Sequence, residues 1–139
     1  MRHGKGYRKL GRESSNRRAL LRGLVGQAIA HDGIKTSLMK AKEVRPILEK
    51  LVTLAKVDSV AARRRAASYI YEKDVVRKLF TEVAPRHFAR PGGYTRILRL
   101  GRRFGDGSLM ARIEFVSEDA GVNSTKGKSD ILSAEAVSQ

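Results

Sequence analysis

Arginine is the side chain on which any chemistry of this chain must rest. It outnumbers lysine 18 to 11, and its planar fork pairs bidentately with phosphate oxygens and stacks on bases. The cations fall in blocks. Residues 1–22 hold Arg2, Lys5, Arg8, Lys9, Arg12, Arg17, Arg18 and Arg22 against Glu13 alone, a net +7. Residues 86–103 hold Arg86, Arg90, Arg96, Arg99, Arg102 and Arg103 with no acid, a net +6. Aromatic rings interleave with both blocks, and such rings can stack on unpaired bases. Tyr7 has no core within reach in sequence and is assigned to contact, whereas Phe88 and Phe104 suit a core and a contact equally. The turn Pro91-Gly92-Gly93-Tyr94 bares backbone N–H groups that a sugar-phosphate chain could approach; it is equally a tight loop before a strand. Arg63-Arg64-Arg65 point three ways on a helix, so at most two meet one surface, and at least one contact is expected there.

Bond-making chemistry finds no constellation. His3, His31 and His87 are isolated, with no partner at metal-ligand spacing. The run 121–129 resembles a phosphate loop but has five residues between its glycines where the motif has four, and no apolar helix follows. Glu43, Glu49, Glu72 and Asp74 lie beside basic residues on expected helices, where surface pairing is the expected role. No nucleophile elbow and no paired carboxylates occur. The expectation is a non-enzyme with no cofactor, no metal and no small-molecule substrate.

Length and composition bound the scaffold that must position these groups. At 139 residues and 41% hydrophobic, the chain suits one domain with a modest core. A net charge of +15 repels itself unless a polyanion neutralises it. The absence of cysteine excludes a disulfide scaffold, a thiolate nucleophile and a Cys-based metal site. No apolar run approaches the ~20 residues of a membrane span, and the basic start is not followed by the apolar core of a signal peptide. A soluble intracellular protein on an anionic surface is the expectation, with no membrane partner.

Three zones are expected: a basic arm over 1–14, an α+β domain over 15–117 and a flexible, disordered tail over 118–139, whose net charge is −2. A first helix should start at a Ser14 or Ser15 cap, bury Leu20, Leu21, Leu24, Val25, Ala28 and Ile29, leave Arg17, Arg18 and Arg22 free, and stop at Gly33. A strand over 34–38 precedes a second helix over 39–56, which Pro46 should kink or delay. Asp58-Ser59 should cap a third helix, and a fourth over 72–83 should stop at Ala84-Pro85. Strands over 94–100 and 109–116 flank a hairpin turn at Phe104-Gly105-Asp106-Gly107-Ser108. The class is α+β: about four helices on a small, three-stranded sheet.

Helices that spend wide faces on a core have little left to read a DNA groove, and an irregular basic arm suits a folded RNA. A nucleoid-type DNA-binding protein remains the alternative, and an RNA-modifying enzyme without a visible motif a remote third. Met1-Arg2-His3, the run from Leu10 through Arg22, Ile34-Lys35-Thr36-Ser37-Leu38 with Lys40-Ala41-Lys42-Glu43, Leu51-Val52-Thr53-Leu54-Ala55-Lys56 and above all Arg90-Pro91-Gly92-Gly93-Tyr94-Thr95-Arg96-Ile97 closely resemble the family of ribosomal protein seventeen of the bacterial large (50S) subunit, in order from Met1 to about Val116.

The resemblance implies a structural, cytoplasmic component of that subunit. It would bind large-subunit ribosomal RNA near the outer end of the peptide exit tunnel, among neighbouring ribosomal proteins. It implies RNA contacts at Arg2, His3, Arg8, Arg12, Arg17, Arg18 and Arg22, at Lys35 and Thr36, and at Arg90, Gly92, Gly93, Tyr94, Thr95 and Arg96. Charge and exposure add Lys5, Tyr7, Lys9, Arg63, Arg64, Arg99, Arg102 and Arg103. The chain departs from the family pattern at Gly11 (usually Asn), Glu13 (usually small or neutral) and Asn16 (frequently His). Glu13 is expected to turn toward Arg17 or cap the helix. Deleting residues 1–14 is expected to weaken RNA binding and leave stability almost untouched.

Overall fold

The computed structural model describes residues 8–116 of the chain. Arg2, His3, Lys5, Tyr7, the run 121–129 and the tail over 118–139 lie outside the described residues. The elements run α1 (Ser14–Ala30), β1 (Gly33–Ser37), α2 (Leu38–Ala55), α3 (Val60–Tyr69) and α4 (Lys73–Lys78). The last of these continues through a π-helical segment (Leu79–Val83) into a final turn, α5 (Ala84–Arg86), before β2 (Thr95–Arg102) and β3 (Leu109–Phe115). Counting the continuous stretch 73–86 as one, four helices pack on an antiparallel sheet of order β1-β3-β2, the expected α+β architecture.

Helix α2 organises the core. Leu38, Ala41, Val44, Leu48, Leu51, Val52 and Ala55 are buried at helical spacing, and this face meets all three strands as well as α1 and α3. Full burial of a side chain such as Leu48 contributes about 1.5–3 kcal/mol. Pro46 neither delays nor ends the helix, which begins eight residues earlier. The carbonyl that loses its partner belongs to exposed Lys42, where water can replace the bond.

Three other boundaries differ from the sequence expectation. No side chain caps α1: Glu13 holds the N-cap position, and its carbonyl accepts from Arg17 N at 2.9 Å. The left-handed residue that ends α1 is Asp32 (φ 55°), and Gly33 opens β1 instead. A Cβ on Gly33 would stand 2.8 Å from the Ile113 carbonyl oxygen, so close strand packing requires the glycine. Ala84-Pro85 does not stop the fourth helix, which runs to Arg86. The widened π turn just before Pro85 relaxes the ladder where proline has no N–H to give. The third helix is capped as expected, Ser59 Oγ accepting from Ala62 N at 3.1 Å.

The sheet register puts Ile34, Ile113 and Ile97 side by side on the face that α2 covers, with Thr36 and Ala111 next along it. The opposite face carries Lys35, Arg112 and Leu98 in one row and Arg96 beside Glu114 in the next. The buried residues of β3 begin at Ala111, and Leu109 before it is 48% exposed. The 103–108 turn forms with Gly105 (φ 99°) and Gly107 (φ 62°) in the conformations glycine allows.

Candidate nucleic-acid interface

Four cationic surfaces frame the molecule, and acids constrain them unequally. At the start of the described chain, a turn places Arg12 N on the Lys9 carbonyl at 3.1 Å. Gly11 takes φ 65°, a left-handed conformation that asparagine also tolerates, which accounts for glycine at a position where the resembled family has Asn. Arg8 donates to Glu43 Oε1 at 2.9 Å, and Glu43 is buried rather than on the surface. The arm is therefore tied to α2 at Arg8. Beyond it, Lys9, Arg12, Arg17 and Arg18 make no ion pair among the described residues, and Glu13 pairs with none of them. Arg22 is not free as expected. Its guanidinium carbon lies 5.4 Å from the Tyr69 ring centroid and 4.8 Å from that of Tyr71. It donates to the Tyr71 hydroxyl and to the Ser68 carbonyl, while its Nε is buried without a partner. Burial raises the Tyr69 hydroxyl pKa against the opposing pull of Arg22 and Arg18.

The turn before β2 is built from below. Glu49, expected as a surface partner, accepts from Tyr94 N (3.1 Å), Thr95 N (2.9 Å) and Thr95 Oγ1 (2.7 Å). Tyr94 is 1% exposed, with the Lys56 ammonium 4.4 Å from its ring centroid, so its side chain belongs to the core and is not available to stack on a base. Thr95 and Thr36 are likewise buried on the inner sheet face, which corrects their reading as side-chain contacts. Gly92 and Gly93 are exposed with nothing within 4 Å of a Cβ, and Gly93 takes φ 69°, so the backbone is open to close approach. Beneath the turn, His87 is 2% exposed between Tyr94 (5.5 Å) and Phe115 (5.9 Å). Burial lowers its pKa, and Arg90, Lys56 and Arg86 push the same way.

On the outer sheet face, Lys35 and Arg112 stand directly opposite one another, both exposed. Like charges so placed repel, and an anion laid across them removes the repulsion. Glu114 holds Arg96 at 2.7 Å and Arg112 at 3.0 Å, while Arg99 and Arg102 have no ion pair among the described residues. Arg103 donates Nε to Asp106 at 3.0 Å and holds that carboxyl far below its usual range. On α3, Arg63 is committed to Asp58 at 2.7 and 3.0 Å and lowers its pKa, leaving Arg64 and Arg65 outward without an acid. Sequence reading passed over Arg112, although strand alternation set it opposite the buried Ala111 and Ile113. It also passed over Tyr71, which is 74% exposed beside Arg22. Phe88 and Phe104, left open between core and contact, are 72% exposed and fully exposed respectively.

The described residues contain no group of His, Cys, Asp or Glu that could hold a metal ion. Nor does any described helix have the length and apolarity to cross a membrane. A helical core that presents arginines and an open glycine turn outward is the build of a small, non-catalytic α+β RNA-binding protein. The family model described as ribosomal protein L17 matches residues 20–116, and the chain belongs to that family, whose members are structural proteins and not enzymes. It is 47% identical over 137 residues to the "Large ribosomal subunit protein bL17" of Cereibacter sphaeroides, covering 99% of each chain. Proteins of the same name from Dinoroseobacter shibae and Roseobacter denitrificans are each 49% identical over 130 residues. Those matches cover 94% of this chain and 92% and 91% of the relatives. Membership of a ribosomal family leaves the DNA-binding alternative without support.

Proposed function

We propose that this chain is a structural component of the bacterial large ribosomal subunit, in the cytoplasm. It binds and stabilises large-subunit ribosomal RNA near the peptide exit tunnel, next to neighbouring ribosomal proteins. The observation that carries the contact surface is the set of exposed cations that the fold leaves without acids, Arg12 and Arg18 on the arm side, Arg64 on α3, and Arg99 and Arg102 toward the hairpin end of β2, together with the open Gly92-Gly93 turn at that strand's start. Phosphates supply the charge these groups lack, and the bare turn admits a sugar-phosphate backbone. Arg2, His3, Lys5 and Tyr7, outside the described residues, are assigned to RNA contact by their residue types and by the family resemblance. Lys35 and Arg96 extend it over the outer sheet face.

Three measurements test the reading. The protein should co-migrate with the large ribosomal particle in a gradient that separates particles from soluble contents. Routine recovery in the soluble fraction overturns it. Affinity for large-subunit ribosomal RNA should fall with salt along a log–log slope of roughly −5, as six or more phosphate contacts require. Preference for duplex DNA at matched salt also overturns it.

A further inference from the structure

We propose that the cleft between residues 15–26 of α1 and residues 69–72 receives one unpaired nucleotide of the RNA, its base stacked on Tyr71. The inference rests on the RNA-binding reading and adds a site for a base where that reading supplies phosphate contacts. The cleft, of about 460 Å³, is lined by Arg18, Arg22, Gly23, Gly26, Tyr71 and Glu72 among others.

Three observations converge on a flat, anionic-backed ligand. The floor is helix backbone: Gly23 is exposed and Gly26, one turn on, is buried, and no atom lies within 4 Å of where a Cβ would stand on either. Interior helical glycines weaken a helix relative to alanine, and nothing in the packing asks for them here, whereas a planar ring lying on the backbone does. The wall is an aromatic held ready: Tyr71 is 74% exposed, yet Arg22 sits 4.8 Å from its ring centroid and donates to its hydroxyl, so little side-chain freedom remains to be lost on stacking. The rim is polarised. Arg18, on the α1 wall, is exposed without an acid among the described residues, and Glu72 belongs to the 69–72 wall. This places the nucleotide's phosphate on the Arg18 side, away from the Glu72 carboxylate, and directs the base toward Tyr71. Base stacking on aromatic rings is the common mode by which proteins take up splayed-out RNA bases.

The test uses the full chain with in vitro transcribed large-subunit ribosomal RNA over a salt series. Tyr71→Ala should weaken binding roughly 5- to 100-fold at every salt concentration and leave the salt slope unchanged, because a stacking contact releases no counterion. Tyr71→Phe, which keeps the ring but loses the hydroxyl that Arg22 holds, should bind more tightly than Tyr71→Ala and no more tightly than the parent. Gly23→Leu adds a side chain whose Cβ meets no atom within 4 Å and whose branch extends into the cleft. It should weaken binding to a similar degree while the helix becomes no less stable, an outcome that a merely structural role for Gly23 does not produce. Ultraviolet irradiation of reconstituted large subunits should crosslink Tyr71 to an unpaired nucleotide. Unchanged affinity in both Tyr71→Ala and Gly23→Leu overturns the inference, as does a crosslink from Tyr71 to another protein; either leaves the RNA-binding reading standing. Failure of the unaltered chain to bind the RNA overturns both.

Discussion

The two basic blocks, nearly equal in charge along the chain, differ in what the fold leaves available. In the block over 1–22, Glu13 is the sole acid and pairs with no described cation, so Arg12, Arg17 and Arg18 keep their charge for a partner. In the block over 86–103, tertiary structure brings acids to three of six arginines: Asp32 and Glu82 to Arg86, Glu114 to Arg96 and Asp106 to Arg103. Segment charge therefore overstates what the second block offers RNA. What that block offers instead is shape, a glycine turn bolted to the core through Glu49 and Tyr94. The first block is an electrostatic surface that runs from the arm onto α1; the second is a rigid backbone platform with fewer free charges.

The contrast can be broken most directly at the platform. Tyr94→Ala removes a fully buried ring and should destabilise the domain by about 3–5 kcal/mol in urea unfolding. A loss under 1 kcal/mol would show that the turn is not anchored by the core. Next is Arg8→Ala, which leaves the buried Glu43 carboxylate without its guanidinium and should cost about 1–3 kcal/mol. Deleting residues 1–7 should therefore leave stability unchanged, while deletion through Arg12 should not. This revises the expectation that the whole arm over 1–14 is dispensable to the fold.

His87 provides a pH signature of the platform. Its folded pKa lies below 6.5 because burial disfavours the imidazolium, so the unfolded chain takes up the proton first as pH falls. Stability should be full above about pH 6.5 and decline below it, until the folded pKa is reached, by at most about 1.4 kcal/mol per pH unit from this site. His87→Phe should flatten that decline; an unchanged pH profile would assign it to other groups.

The smallest effect on stability belongs to the first block. Arg17→Ala with Arg18→Ala should shift unfolding by no more than about 0.5 kcal/mol, yet reduce the magnitude of the RNA-binding salt slope by about 2. Arg96→Ala should reduce it by less than one full phosphate contact, since Glu114 already shares that guanidinium. Equal slopes for Arg96→Ala and a single Arg18→Ala would erase the distinction between the blocks.

Much of the fold was legible because it is local. Apolar spacing located α1 and α2, Ser59 announced the start of α3, and the glycines at 105 and 107 marked the hairpin. The misplaced boundaries share a different cause. Pro46 and Pro85 were read as breakers because proline removes a hydrogen bond, but one exposed carbonyl and one π turn absorb that loss, and neither is written in the neighbouring residues. The site divides the same way. Lys9, Arg12, Arg18, Arg64, Arg99 and Arg102 were correctly expected to stay exposed, because a charge without a partner remains in water. Tyr94, Thr95 and Thr36 were not expected to be buried, since that depends on strand register and on α2 lying across the sheet.

By itself the sequence determined the α+β class, the cationic surplus and the lack of catalytic machinery. Composition and short-range periodicity are properties of neighbouring residues, and those three follow from them. Only the tertiary structure decided which cations remain free, because an acid such as Glu43 or Glu114 reaches its arginine across 35 or 18 residues of chain. No local pattern encodes such a meeting; it exists only once the helices have closed over the sheet.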